Sequence, residues 1–159
     1  MENKENQTHF SIDAMKRHLE ALKTHPELGK FVIQQYKIQQ LLFSIILYRL
    51  AEKNLNTEWL DKNEKILKKI NNYSLGQLCG LYKPYTNKAG VDEAKLYEKL
   101  NKYFKKRNKV IHKQHKFKAS KNQNLNDLKD FTAKMIVEGS VIDEELSKLL
   151  SSLYNERLS

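Results

Sequence analysis

The sequence predicts an all-α protein, a helical bundle of about six to seven helices with one long central helix. Only five glycines and two prolines occur among the 159 residues, so long stretches lack the residues that most weaken helices. Leucine, isoleucine, lysine and glutamate recur at helical spacing, which favours helices over strands. With 40% hydrophobic residues, a chain of this length can bury one core.

We expect a single helical domain over residues 9–159, preceded by a flexible N-terminal tail over residues 1–8. The tail is polar and shows no hydrophobic periodicity. Ser11 or Asp13 can cap a first helix that ends at about Thr24. The sequence contains no internal repeat and no sign of a second domain.

The predicted central helix begins at Pro26, which suits a first helical turn, and continues to about Leu55. Its middle is apolar around most of its circumference, so we expect other helices or a partner subunit to surround it. The longest apolar run, residues 41–51, contains Ser44 and Arg49 and is too short to span a bilayer. The N-terminal residues do not resemble a signal peptide, and we expect a soluble, cytoplasmic protein.

The next part of the chain predicts two shorter helices and a loop. Thr57 can cap a helix that reaches about Asn71. Ser74 can cap a short helix over residues 75–82. Proline, asparagine and glycine in residues 83–90 make this stretch the clearest predicted loop of the chain.

The second half of the chain predicts three more helices. Asp92 can cap the first of them, and a polar connection follows it. Gly139 and Ser140 interrupt the helical pattern near the C terminus, which predicts a break between two closing helices. The three predicted helices span residues 92–117, 125–137 and 143–158.

The most informative segment lies in the helix over residues 92–117 and reads Arg107-Asn108-Lys109-Val110-Ile111-His112. At about 100° per residue, Arg107 falls in the middle of the apolar side of this helix. Asn108 and His112 lie four residues apart at the edge of that side and can face the same neighbour. A guanidinium is rarely buried without a partner, so Arg107 pairs with an acid, lines a cleft or binds an anion. Arg49 interrupts its apolar run in a similar way and reaches either the same cleft or a buried acid.

The charge of the chain favours a polyanionic partner. A net charge of +10 is typical of proteins that bind nucleic acid, or less often an anionic membrane surface. A lysine excess can instead serve solubility alone. We expect nucleic acid as the partner and no membrane.

An arginine followed by a polar residue, three further residues and a histidine, late in a helical domain, resembles the signature of the HEPN superfamily. Residues 73–78, Tyr-Ser-Leu-Gly-Gln-Leu, resemble a segment found in several members. The resemblance implies a HEPN-like bundle that acts as a homodimer, in which the two motif helices meet and cut RNA without a metal or cofactor. It further implies a toxin–antitoxin or antiviral defence role, with an antitoxin protein as a further partner. One toxin subgroup carries a modified tyrosine two positions after the histidine, but this chain has Gln114 there.

The residue types of the motif suit attack by a ribose 2′-OH on the adjacent phosphate. His112 would be the general acid and base, because histidine titrates near neutral pH. Arg107 would hold the phosphate through paired hydrogen bonds, and Asn108 would orient His112 or the scissile group. Arg107 and His112 are about 140° apart on an ideal helix, so a site shared across a two-fold axis suits them better than a site in one chain.

Several interpretations remain open beside the catalytic one. Arg107 can be a structural arginine that pairs with Glu20 or Glu52. The domain can be a catalytically silent HEPN-like module that binds a protein partner or RNA, or a basic nucleic-acid-binding domain in which the motif is incidental. The lysines on the outer side of the motif helix either guide RNA to the cleft or form a solvated surface. They are Lys105, Lys106, Lys109, Lys113 and Lys116.

The remaining candidate residues favour structural roles. Cys79, the only cysteine, lies among leucines and is expected in the core. His112 and His115 have no third ligand at suitable spacing, so no metal site is expected. Tyr82 and Tyr85 can stack on an unpaired base, although covering the edge of the core is the commoner role.

Overall fold

The computed structural model describes residues 26–51, 56–117 and 123–158. Every regular element in these ranges is an α-helix, which confirms the predicted all-α fold. The six helices are α1 (Pro26–Leu50), α2 (Thr57–Lys62), α3 (Glu64–Asn71), α4 (Leu75–Ala89), α5 (Val91–Phe117) and α6 (Gln123–Leu158). The side chains at positions 28, 87–88, 109–128 and 157–158 are outside the description. The predicted tail and first helix (residues 1–24) also lie outside the described residues.

Four of the helices enclose the core. Helix α1 packs against α6 and α4, and α5 packs against the same two helices from the other side. Lys99 and Lys106 of α5 pair with Glu145 and Glu138 of α6, so these two helices are antiparallel. The fully buried side chains come from all four helices, with α1 contributing the most: Ile38, Leu42, Ile45, Ile46, Leu75, Leu78, Tyr82, Leu100, Tyr103, Met135 and Leu146.

Helix α1 is the long helix that the sequence predicts, and its apolar middle packs against α4 and α6, while Leu41, Phe43 and Leu47 are only half-buried. It begins at Pro26 and ends at Leu50, earlier than the predicted end near Leu55. Within the described ranges, no helix is both long enough and apolar enough to cross a membrane.

The helix predicted over residues 57–71 is interrupted, which corrects the prediction. Asn63 separates α2 from α3, and its side-chain amide donates to the Trp59 carbonyl at 2.8 Å, which ends the first helix. The cap of α2 is Asn56 rather than Thr57, because the Asn56 side chain accepts a hydrogen bond from the Trp59 backbone N–H at 2.8 Å.

The loop predicted over residues 83–90 is wrong, because α4 continues through Pro84 to Ala89. A proline inside a helix removes the N–H that would bond the carbonyl four residues earlier. Here that carbonyl belongs to the exposed Gly80, where water can replace the missing donor. The chain turns instead at Gly90, whose φ of 106° lies in the left-handed region that glycine tolerates.

The break predicted at Gly139 and Ser140 is also wrong, since α6 is continuous over 36 residues. Gly139 is buried where α6 meets α1 and α5. A Cβ atom at this position would lie 2.1 Å from Gln34 Oε1 and 2.8 Å from the Tyr103 hydroxyl oxygen. The glycine is therefore explained by the close approach of two neighbours and not by a turn.

Candidate functional site

The segment of residues 73–78 starts α4 and brings it close to α5. Ser74 and Gln77 form a capping box, in which the Ser74 hydroxyl accepts from the Gln77 N–H at 3.3 Å and the Gln77 side chain accepts from the Ser74 N–H at 2.8 Å. The prediction that Ser74 caps this helix is confirmed. Gly76 lies directly against Phe104 of α5, because a Cβ there would be 2.3 Å from the Phe104 ring. The segment thus sets where α4 begins and how closely it approaches the motif helix.

This contact yields a prediction with a control in the same helix. Gly76→Ala is expected to lower the free energy of unfolding by about 1–3 kcal/mol, because the new methyl group displaces the Phe104 ring. Gly80→Ala places its methyl group in open space and is expected to raise the free energy of unfolding by about 0.5–1 kcal/mol through helix propensity. Urea unfolding measures both. Equal effects of the two substitutions would contradict the close packing at Gly76.

Arg107 lies one turn after Tyr103 on the inner side of α5 and is half-buried, as its position in the apolar pattern predicts. Burial lowers the pKa of Arg107, while the electrostatic influence of Tyr103 and Cys79 raises it. The guanidinium remains charged at neutral pH, since arginine starts from a very high pKa. A permanent positive charge therefore sits among core side chains at the α4–α5 contact.

Within the part of the chain that the structure describes, the hydrogen bonds of Arg107 use little of its bonding capacity. Its Nη1 atom makes one long hydrogen bond, 3.5 Å, to the Asn108 side-chain oxygen. Its Nε atom is buried and has no partner. Among the described residues, no carboxylate forms an ion pair with Arg107. Glu20 and Glu52, the acids considered as structural partners, lie outside the described residues.

The sequence left open whether Arg49 reaches the same cleft as Arg107 or a buried acid. The structure shows that it pairs with a buried acid. Its Nη2 atom lies 2.7 Å from Glu93 Oε1, and the Tyr82 hydroxyl donates to the same oxygen at 3.0 Å. Tyr82 is fully buried, and burial together with the nearby Glu93 charge raises the pKa of its hydroxyl. Stacking of Tyr82 on a base is therefore ruled out, while Tyr85 is half-buried against the core.

Cys79 is a core residue, as predicted. It is 3% exposed, and burial raises the pKa of its thiol to about 12 although Arg107 acts in the opposite direction. The thiol is therefore protonated at neutral pH and is a poor nucleophile.

A hydrogen-bonded set of polar side chains, of which Gln35 and Tyr103 are buried, was not predicted from the sequence. The side-chain amide of Gln35 donates to the Tyr103 hydroxyl, which lies 3.5 Å from Gln34 Oε1. The Gln34 amide in turn donates to the Ile136 carbonyl at 2.9 Å and to the Ser140 hydroxyl at 3.1 Å. These bonds join α1, α5 and α6 one turn from Arg107. The buried Gly139 is the only local sequence signal that could have indicated this contact.

The structure describes only part of the predicted RNA-binding and catalytic set. Lys105 is exposed, whereas Lys106 pairs with Glu138 of α6 at 2.7 Å. His112 lies within α5, but its side chain is outside the described residues. The same holds for the side chains of Lys109, Lys113 and Lys116.

No group of three or more His, Cys, Asp or Glu side chains that could hold a metal ion occurs among the described residues. Comparison of the chain with protein-family models, with curated proteins and with solved structures found no match.

Proposed function

We propose that this protein is a metal-independent endoribonuclease that cleaves RNA by attack of a ribose 2′-OH on the neighbouring phosphate. Arg107 holds the phosphate, His112 is the general acid and base, and Asn108 orients one of them. The proposal includes a homodimer whose two motif helices meet, and a toxin–antitoxin or antiviral role with an antitoxin as a further partner. It rests on the resemblance of the motif to HEPN proteins and on the environment of Arg107.

The half-buried guanidinium of Arg107, which has no carboxylate partner among the described residues, is the observation that carries the proposal. A buried cation without a carboxylate partner is costly, and a phosphodiester supplies both the missing charge and the missing acceptors. The Arg49 guanidinium provides an internal contrast, since it lies on the same core but is bound by Glu93. With a net charge of +10, the chain also attracts polyanions.

Because α5 continues without interruption to Phe117, the helical spacing between Arg107 and His112 supports a shared site. On an ideal helix the two side chains leave the axis about 140° apart. Two motif helices that meet at a two-fold axis can each present one of these directions to the same phosphate. Exposed lysines such as Lys105 would increase the rate of RNA encounter.

Cleavage of single-stranded and hairpin RNA in the presence of EDTA tests the proposal. The expected products carry a 2′,3′-cyclic phosphate and a 5′-hydroxyl, because the attacking oxygen belongs to the substrate itself. His112→Ala protein purified in the same way controls for contaminating ribonucleases. Cleavage that requires a divalent metal, or products with 5′-phosphates, would contradict the mechanism. RNA binding without cleavage would favour the silent module.

A further inference from the structure

The outer side of α6 carries two exposed valines. Val137 is 67% exposed and Val141 is 48% exposed, and their spacing of four residues puts them on the same side of the helix. At about 100° per residue, the buried side chains of this helix, Met135, Ile142 and Leu146, point to the opposite side. Exposed valines are common one at a time, so the residues around this pair decide what it means.

Charged side chains continue the line of the valines in both directions along α6. Alternating spacings of four and three residues keep the whole set within about 80° of the helix circumference. All its members are exposed. The set, which we call the α6 stripe, consists of Asp130, Lys134, Val137, Val141, Glu144 and Lys148. Among the described residues, the only ion pair that the stripe forms within the chain is the exposed Glu144–Lys148 pair at 2.8 Å, so Asp130 and Lys134 have no such partner.

The order of charges in the α6 stripe is complementary to itself when a second copy packs against it in the antiparallel direction. With the two-fold axis level with Gly139, Val137 lies opposite Val141 of the second copy. Lys134 then lies opposite Glu144 of the second copy. The two ends of the stripe, an aspartate and a lysine, face each other in the same way. Because each contact occurs twice by symmetry, opposite charges flank the valines on both sides.

Other arrangements of two stripes bring unfavourable groups together. A parallel pair in register would place each charged side chain against the same charge of the second copy. An antiparallel pair shifted by one heptad would place both valines against charged side chains, Val137 against Lys148 for example. The antiparallel register centred on Gly139 joins valine to valine and opposite charge to opposite charge. The pattern therefore favours one geometry and disfavours its neighbours.

We propose that the α6 stripe is the contact between two copies of this chain, whose α6 helices pack antiparallel about a two-fold axis level with Gly139. The inference rests on the proposed function for its role and deepens it, because it names the surface that forms the homodimer. Glu138, next to the axis, pairs with Lys106 of α5, the neighbour of Arg107. The axis of an antiparallel pair runs between the helices at right angles to them, so both copies of α5 lie on the same flank of the dimer. Both copies of Arg107 then lie near the level of the axis, as a shared site requires.

Charge reversal at two positions of the stripe tests the inference by sedimentation equilibrium of the full chain. Lys134→Glu places a glutamate opposite Glu144 of the second copy, and Glu144→Lys places a lysine opposite Lys134 of the second copy. Each variant alone is expected to raise the dissociation constant of the dimer about 10-fold or more, because like charges meet twice in its homodimer. An equal mixture of the two variants is expected to associate about as tightly as the unmodified chain, since every such contact in the mixed dimer again joins a lysine to a glutamate.

A matched control and separate readouts distinguish the inference from the proposed function. Lys65→Glu makes the same change in charge on an exposed lysine of α3 and should leave the dissociation constant unchanged. A mixture that associates no better than the separate variants overturns the inference, as does an unmodified chain that stays monomeric throughout the micromolar range. A dimer that persists in both single variants overturns the role of the stripe and leaves the homodimer of the proposed function intact. Recovery in the mixture, with no RNA cleavage by the unmodified chain, supports the stripe and overturns the nuclease.

Discussion

Replacement of Arg107 by alanine is expected to lower the rate of RNA cleavage by about 10²- to 10³-fold, the effect of removing one fixed donor to a developing oxyanion. The loss should appear in kcat, because charge on the phosphate oxygens grows as the bond forms. Single-turnover cleavage in EDTA measures it. Lys102→Ala is the matched control, since Lys102 is an exposed cation on the same helix and should leave the rate nearly unchanged.

A second variant tests whether Arg107 and His112 act as a unit. If they do, Arg107→Ala combined with His112→Ala should be little slower than the slower single variant, because residues that act together are not additive. Arg107→Ala and the double variant should unfold at a denaturant concentration close to that of the unmodified chain, since Arg107 forms no ion pair among the described residues. A rate loss that is the same for Arg107→Ala and Lys102→Ala would contradict the assignment.

Replacement of Glu93 by leucine is expected to cost about 3 kcal/mol of unfolding free energy, at the lower end for a buried pair because Arg49 is partly exposed. The Glu93 side chain is only 7% exposed, and its removal leaves the Arg49 guanidinium without its carboxylate. The Tyr82 hydroxyl would lose its acceptor as well. Urea or thermal unfolding measures the loss.

This prediction has two controls, an exposed ion pair between α5 and α6 and a double variant of the buried pair itself. Glu145→Gln breaks the exposed Lys99–Glu145 pair and is expected to cost less than about 1 kcal/mol. The double variant Arg49→Met with Glu93→Leu should recover most of the loss, because it removes both charges from the core. Equal costs for the Glu93 and Glu145 substitutions would show that the Arg49–Glu93 pair is not buried as described.

The sequence predicts features that depend on spacing within one helix. The apolar period predicts α1 as a long helix and places Arg107 on the inner side of α5, and both are confirmed. Ser74 is the N-cap of α4, as the sequence predicts. These features need only the helical repeat and local hydrogen bonds, so one chain segment contains all the information.

The features that the sequence failed to predict depend on contacts between distant segments. Gly139 looks like a helix break, but its reason is Gln34, more than 100 residues earlier. The hydrogen bond between Gln35 and Tyr103 joins residues 68 positions apart, so no local pattern indicates it. The same is true of Glu93, which the sequence offers only as an acid at a helix start and which the fold places against Arg49.

The central claim is that Arg107, which unlike Arg49 has no carboxylate partner among the described residues, binds a phosphodiester. The chain has four arginines, so ¹⁵N NMR of the arginine Nε–Hε groups resolves few signals, each assignable by substitution. Titration with a short 2′-fluoro RNA, which lacks the attacking hydroxyl, should shift the Arg107 signal in a saturable way at physiological salt. The Arg49 signal should stay fixed, because Glu93 already occupies that guanidinium. An Arg107 signal that does not move while the RNA is bound elsewhere would contradict the account.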